Sequence, residues 1–341
     1  MKDRPDGRNS DGRNSVPVTV ITGFLGSGKT TVLNRLLRVP DLADTAVIIN
    51  EFGEVGMDHL LVEQAIENAV LLKNGCICCT VRGDVLDTID ELFRKREAGE
   101  LPWFRRIAIE TTGLADPAPV VHTLVDTSQP CHLDGIVVTA DAIHIRDQLH
   151  EREEARHQVA FADRILLTKT DLVTAAEADM AEPAIRAFNA YASIRRVADG
   201  DVTPGDVFGL GPHQRPEIWL PDADQGHRHD HHDHDGIASI VLRADMPIPG
   251  SALALWLNSL LSLHGARVLR LKGIARIEGM PRPVVLQAVH HVLHALTLLP
   301  PRAAEAWGDK GGEIVVIHRG LPEAGLHASF AAALAGADGD E

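Results

Sequence analysis

The run Gly23-Phe24-Leu25-Gly26-Ser27-Gly28-Lys29-Thr30 fits G-x-x-x-x-G-K-[ST] and constrains the fold more than any other stretch of the chain. Such a loop works only between a buried strand and a helix, and the flanking sequence supplies both. Residues 16–22 are β-branched and apolar; residues 31–38 space their apolar side chains as a helix does. Glycines at 23, 26 and 28 let the backbone turn its N–H groups inward around a phosphate, and the helix that follows adds the positive end of its dipole. Lys29 then reaches the β- and γ-phosphate oxygens, the Thr30 hydroxyl suits Mg²⁺, and Ser27 and Thr31 complete the loop. The motif implies a nucleoside triphosphate site.

The rest of the first two-thirds fits a sheet built around that loop. Strand-like runs at 18–22, 46–50, 70–72, 107–110, 135–140, 164–168 and 194–197 alternate with helical patterns at 83–95, 117–125, 146–161 and 175–191. This alternation predicts an α/β fold, a mostly parallel P-loop sheet with helices on both faces and ligands at the carboxyl ends of its strands. A polar, His- and Asp-rich stretch breaks the pattern, and a second rhythm of strands and a helix (251–263) predicts a smaller α+β domain. The expected organisation is a disordered tail over 1–15, with the repeat Asp6–Ser10 and Asp11–Ser15, a nucleotide domain over 16–211 and a linker over 212–236. The second domain follows over 237–320, and an Ala-rich, acidic tail over 321–341.

Two more stretches read as nucleotide chemistry. An apolar strand ends in Glu110, with Gly113 three positions later. A carboxylate there can hold Mg²⁺ through water or orient the attacking water, and the glycine N–H can contact the γ-phosphate. Further on, Thr168-Lys169-Thr170-Asp171 stands at a strand end where guanine-binding proteins carry Asn-Lys-x-Asp. The Asp accepts two hydrogen bonds that guanine offers and adenine does not. Thr in place of Asn keeps a local hydrogen-bonding group, so GTP is expected over ATP.

Metal chemistry is written in two places. Cys76, Cys78 and Cys79 put three soft thiolate donors within four residues, enough to share one transition metal and too few to close a tetrahedral site. An incomplete, exchangeable site suits a protein that passes metal on. In the linker, His227, His229, His231, His232 and His234 offer imidazoles on a polar segment suited to collecting metal. Cys131 stands alone and is expected to pack; His290, His291 and His294 are expected to be structural or to face a client, and His144 is ambiguous.

Charge and hydropathy exclude other classes. The net charge of −15 argues against a nucleic-acid partner, and no apolar run approaches a membrane span or a signal core. A soluble, cytoplasmic protein with reduced thiols is expected.

Taken together, the sequence resembles the CobW-like P-loop GTPases, a group of metallochaperones and metal-insertion proteins. The likeness rests on residues 22–31, Asn50-Glu51-Phe52-Gly53-Glu54, residues 74–79, residues 110–117 and Thr168–Asp171. It extends through residues 269–275 into a segment that looks like the CobW C-terminal domain. The resemblance implies a slow GTPase that binds metal through Cys76, Cys78 and Cys79, with Glu54 as a further ligand and Glu51 serving the nucleotide's Mg²⁺. It makes Glu110 and Gly113 the Walker B and γ-phosphate-sensing elements. Zn²⁺ is the expected metal, with Co²⁺, Ni²⁺ and Fe²⁺ used in the family and its relatives, and the partner is a client metalloprotein. A homo-oligomer stays open. Two other readings are kept: a metal buffer or sensor with a regulatory GTP site that scarcely turns over, and a P-loop kinase for a small molecule.

Overall fold

The strand before the P-loop, β1 (Val16–Gly23), is an interior strand of its sheet: Val18, Val20 and Ile21 are fully buried. It is a β-branched run without alternation because helices cover both faces of the sheet it belongs to. The computed structural model describes residues 15–50, 85–211 and 236–335. Residues 1–14 of the N-terminal tail, the strand expected at 70–72, the cysteine loop with Glu51 and Glu54, and the His tract lie outside the described residues.

Around β1, five strands complete a parallel sheet in the order β2-β3-β1-β4-β5-β6. They are β2 (Thr45–Asn50), β3 (Arg106–Thr111), β4 (Cys131–Asp141), β5 (Arg164–Thr168) and β6 (Ser193–Arg196). The helices are α1 (Lys29–Leu36), α2 (Val85–Glu97), α3 (Ala118–Asp126), α4 (Ile145–Glu151), α5 (Glu153–Phe161), α6 (Ala175–Arg186) and the short α7 (Pro204–Val207). The expected P-loop architecture is present.

Two expected helices differ in extent, each for a tertiary reason. The single helix anticipated at 146–161 is two, because Arg152 is extended (φ −120°, ψ 117°). Arg156 Nη1 donates to the carbonyls of Leu149 and His150, both at 3.0 Å, and so satisfies the end of α4 from inside α5. The helix expected to reach Tyr191 stops at Arg186. Beyond it the buried Asn189 donates to the carbonyls of Val159 and Ala162, both at 2.9 Å, and accepts from the N–H groups of Tyr191 and Ala192. Its amide fastens the end of α6 to the end of α5.

The second domain is an antiparallel sheet, β10-β9-β8-β12-β7, with β11 on β9. Its elements are β7 (Ile237–Ala244), α8 (Gly250–His264), β8 (Val268–Ala275), β9 (Val284–Val289), β10 (Val292–Leu293), β11 (Thr297–Leu298), α9 (Pro301–Trp307), β12 (Gly312–Arg319) and α10 (Glu323–Ala335). The strand-like run over 284–292 is interrupted at His290–His291, which form a two-residue turn. Along β12 the side chains alternate. Ile314 and Val316 enter a core with α8, while Val315 and Ile317 enter the core of the first domain.

Within the Ala-rich stretch set apart over 321–341, α10 buries Leu326 and Phe330 in the α8 core. Phe330 meets Trp256 edge-on at 4.9 Å between ring centroids. Leu326 and Phe330 are one helical turn apart, so one face of an Ala-rich helix suffices to dock it.

Buried His318 at the end of β12 sets an acid limit on stability. It is 1% exposed, and its Nδ1 accepts from the Leu321 N–H, which fixes the neutral form. Burial, then the nearby Arg267 charge, lower its pKa to about 4. The native state therefore binds fewer protons than the unfolded one between the ordinary histidine value and about 4. This contribution is complete above roughly pH 6.5 and disappears as pH falls toward the folded value. Chemical denaturation between pH 7 and 4 should show a loss of up to about 3 kcal/mol from this group. His318→Gln should flatten that slope; an equal slope in the variant would refute the assignment.

Candidate functional site

At the carboxyl end of β1 the chain makes the turn the motif demands. Gly23, Gly26 and Gly28 have φ of 143°, 71° and 98°. At Gly23 the neighbours add a second requirement, since a Cβ would lie 2.3 Å from the Thr139 carbonyl oxygen. Ser27 and Thr139 share a hydrogen bond of 2.6 Å that pins the loop to β4. Gly28 leaves the start of α1 without a side-chain cap, so the first N–H groups of the helix have no side-chain acceptor. Lys29 Nζ donates to the carbonyls of Gly23 (2.9 Å) and Phe24 (3.2 Å), which holds the ammonium across the loop. A cradle of N–H groups with a cation across it fits an anionic polyphosphate.

Parallel pairing sets Glu110 of β3 beside Ile21 of β1, and Thr30 Oγ1 donates to Glu110 Oε1 at 2.7 Å. Glu110 is 1% exposed. A hydroxyl and a carboxylate touching at the mouth of the cradle are a donor set suited to Mg²⁺, the carboxylate acting directly or through water. Gly113 lies over the P-loop, where a Cβ would stand 2.8 Å from both N and Cα of Leu25. The loop's other side is held by Gln158.

At the carboxyl end of β5, Thr168 Oγ1 is 2.7 Å from the Ser27 carbonyl and 3.2 Å from that of Ala140. The hydroxyl that replaces the usual Asn therefore bridges β5, β4 and the P-loop. Lys169 adopts φ 57°, and its Nζ donates to Asp141 Oδ2 at 2.6 Å. Asp141, buried at the tip of β4, also accepts from His144 Nδ1 (3.1 Å) and from the Ile143 N–H (2.9 Å). Burial would raise its pKa, but the hydrogen bonds from Lys169, His144 and Ile143 hold it below the carboxylate range. Asp171 is exposed, accepts from the Asp199 N–H at 2.9 Å and is likewise lowered, chiefly by that bond.

Sequence reasoning did not single out Asp141, Asp199 or Gly200. The last two turn the chain after β6 with φ of 49° and 68°, and a Cβ on Gly200 would be 3.4 Å from the Thr31 methyl. The Asp-Gly pair was the available signal.

The structure thus brings together Gly23, Gly26, Ser27, Gly28, Lys29, Thr30, Thr31, Glu110, Gly113, Thr168, Lys169 and Asp171. The proposed metal ligands Cys76, Cys78, Cys79, Glu54, His227, His229, His231, His232 and His234, together with Glu51, lie outside the described residues. Among the described residues no group of three or more His, Cys, Asp or Glu side chains is arranged to hold a metal ion. Burial raises the Cys131 thiol to about 11, so at neutral pH it packs as a thiol. Among those residues no helix is long and apolar enough to cross a membrane.

Residues 17–196 match the model of the CobW/HypB/UreG nucleotide-binding domain, and residues 237–334 that of the cobalamin synthesis protein cobW C-terminal domain. The chain belongs to the CobW family of P-loop GTPases. It is 34% identical over 323 residues to the zinc chaperone YjiA of Escherichia coli strain K12, covering 93% of this chain and 98% of that protein. It is 30% identical to the zinc chaperone CobW of a Sinorhizobium species, covering 93% and 97%. The crystal structure of Zn(II)-bound YjiA GTPase from E. coli superposes with a TM-score of 0.69 at 31% identity, covering 93% and 98%. In this CobW-family chain the expectation that Asp171 reads the base can be tested directly. Asp171→Ala should weaken GTP binding by roughly 10²-fold and reduce discrimination against ATP, measured by fluorescent-nucleotide displacement. Unchanged discrimination would exclude Asp171 from base recognition.

Proposed function

We propose that this chain is a GTP-hydrolysing metallochaperone that binds a transition metal, zinc first, at Cys76, Cys78 and Cys79 with Glu54, and delivers it to a client metalloprotein under nucleotide control. The observation that carries this reading is a built P-loop in a chain aligned over 93% of its length with a named zinc chaperone. The three-thiolate motif of the sequence supplies the cargo site.

In this reading the N–H groups of residues 23–30 and Lys29 hold the β- and γ-phosphates, and Gly113 contacts the γ-phosphate. Thr30 and Glu110 would hold Mg²⁺, whose charge offsets that of the phosphates. Glu51 serves the same ion from the adjoining segment. Thr168, Lys169 and Asp171 select guanine. Nucleotide state is communicated to the cysteine loop through residues 51–74, and the His tract at 227–234 gathers metal ahead of transfer.

The deciding experiment is zinc affinity by competition with a chromophoric chelator, in nucleotide-free, GDP-bound and non-hydrolysable-GTP-bound protein. It is repeated with Cys76, Cys78 and Cys79 replaced by Ser. One tight cysteine-dependent site whose affinity changes with nucleotide is the expected result. Zinc held only by residues 227–234, indifferent to nucleotide, would overturn the chaperone reading in favour of a metal store.

A further inference from the structure

Residues 112–117 join β3 to α3, and both sides of this loop lead to the same hairpin of the second domain. From α5, Gln158 reaches the loop with its side-chain amide. Nε2 donates to the carbonyls of Gly113 (3.2 Å) and Ala115 (3.1 Å), and the residue is 1% exposed. These two carbonyls fix the amide's orientation, because the flipped form would set oxygen against oxygen. Its Oε1 is buried and accepts no hydrogen bond. The amide is thus satisfied on its donor side only, and a loop arrangement that offers Oε1 a peptide N–H would be favoured by it.

The same helix is clamped to the second domain. Glu153 pairs with Arg319 at 2.7 Å, with His157 beside the same guanidinium. The Phe161 ring meets His290 at 5.5 Å, and Asp163, two residues further, pairs with Arg270 and Lys272 of β8. From the loop's other end, α3 carries His122, whose Nε2 donates to the Val289 carbonyl at 3.1 Å. Its ring lies 5.9 Å from that of His290 and 5.3 Å from that of His291. His290 occupies the β9–β10 turn at φ 50°, a conformation in which an L residue is strained and glycine or asparagine is usual. A strained tip touched from two helices is a candidate output element.

We propose that Gln158 and His122 are positioning residues that transmit the nucleotide-dependent arrangement of residues 112–117 to the second domain, with the hairpin tip at His290 and His291 as the output. This rests on the reading of Gly113 as the γ-phosphate contact. Gln158 pulls or releases α5 against β8, and His122 does the same for α3 against β9. Linkage makes the relay reciprocal: whatever binds the hairpin in one nucleotide state shifts nucleotide affinity by the same factor, within roughly 5- to 150-fold.

Hydrogen–deuterium exchange on the full chain tests this in nucleotide-free, GDP-bound and non-hydrolysable-GTP-bound forms. Exchange in residues 111–117 and 284–293 should change together, by about tenfold between the GDP and GTP forms. In Gln158→Met the first segment should still respond and the second should lose at least about half of its response. The readout is the difference between nucleotide states, which general loosening of the fold does not create. If 111–117 ignores nucleotide, the reading of Gly113 fails and the relay with it. If 111–117 responds but 284–293 does not, or if Gln158→Met keeps the full response, the relay alone is overturned. Should that variant fail to fold, His122→Ala is read by the same criterion, and an undiminished response there refutes the relay.

Discussion

Gly113→Ala is expected to lower kcat for GTP hydrolysis by at least about 10²-fold while GDP affinity stays within about tenfold. The added methyl would lie 2.6 Å from Leu25 Cδ2 and 2.8 Å from Leu25 N and Cα. The side-chain atom can turn away, but the backbone atoms belong to the P-loop, which Ser27, Thr139 and Thr168 hold in place. The loop carrying residue 113 must therefore move, by roughly the ångström that is enough to lose about two orders of magnitude in an aligned reaction. Gly113 is absent from the positive-φ glycines, so the effect is steric, not conformational. Gly99→Ala is the control: its φ is 73°, a Cβ there meets nothing within 4 Å, and kcat should be unchanged. Phosphate release under saturating GTP decides the matter, and a Gly113→Ala rate within threefold of the parent would refute the packing argument.

The first sheet was legible because its inner strands are buried on both faces, so β1 and β5 read as largely apolar runs without alternation. What escaped was made by contacts distant in sequence. Helical periodicity runs straight through Arg152, and only the reach of Arg156 to the carbonyls of Leu149 and His150 shows why the helix breaks there. The β9–β10 turn carries neither Gly nor Asn, so nothing local marks it; His290 takes the positive φ instead. Gln158 sits on a helix whose polar face looks solvated until the second domain covers it. In the nucleotide site the loop motif has one steric solution, and Gly23 to Thr31 could be read in order. Asp141 could not: a carboxylate at a strand tip is ordinary until Lys169, turned to φ 57°, reaches it. Thr168 reads as a stand-in for Asn, whereas its hydroxyl ties β5 to the P-loop carbonyl of Ser27.

The domain junction carries the largest expected effect on stability: Asp163→Ala should cost about 3–5 kcal/mol. Asp163 is 3% exposed and Arg270 1%, and the carboxylate accepts from Arg270 Nη2 at 2.8 and 2.9 Å. It also pairs with Lys272 and accepts the Ile136 N–H at 2.7 Å. Burial would raise its pKa, but the charges of Arg270 and Lys272, helped by hydrogen bonds, keep it below the usual carboxylate range. Its folded pKa is thus depressed, and its contribution is complete above roughly pH 4 and disappears only below that. Removing the carboxylate strands a guanidinium, an ammonium and a peptide N–H between the domains. Deleting all the charges together, in Asp163→Leu, Arg270→Met and Lys272→Met combined, should be much milder, because the desolvation penalty goes with them. The core around β1 includes Leu269, Val289, Val315 and Ile317 of the second sheet, so the parent is expected to unfold as one unit. In Asp163→Ala the transition should divide, followed by Trp256 and Trp307 fluorescence in the second domain and Trp103 in the first. A single unshifted transition would show that the apolar contacts alone join the domains. A divided one would make the buried ion pair the element that keeps α5 seated on β8, and GTP-dependent exchange at residues 284–293 should disappear with it.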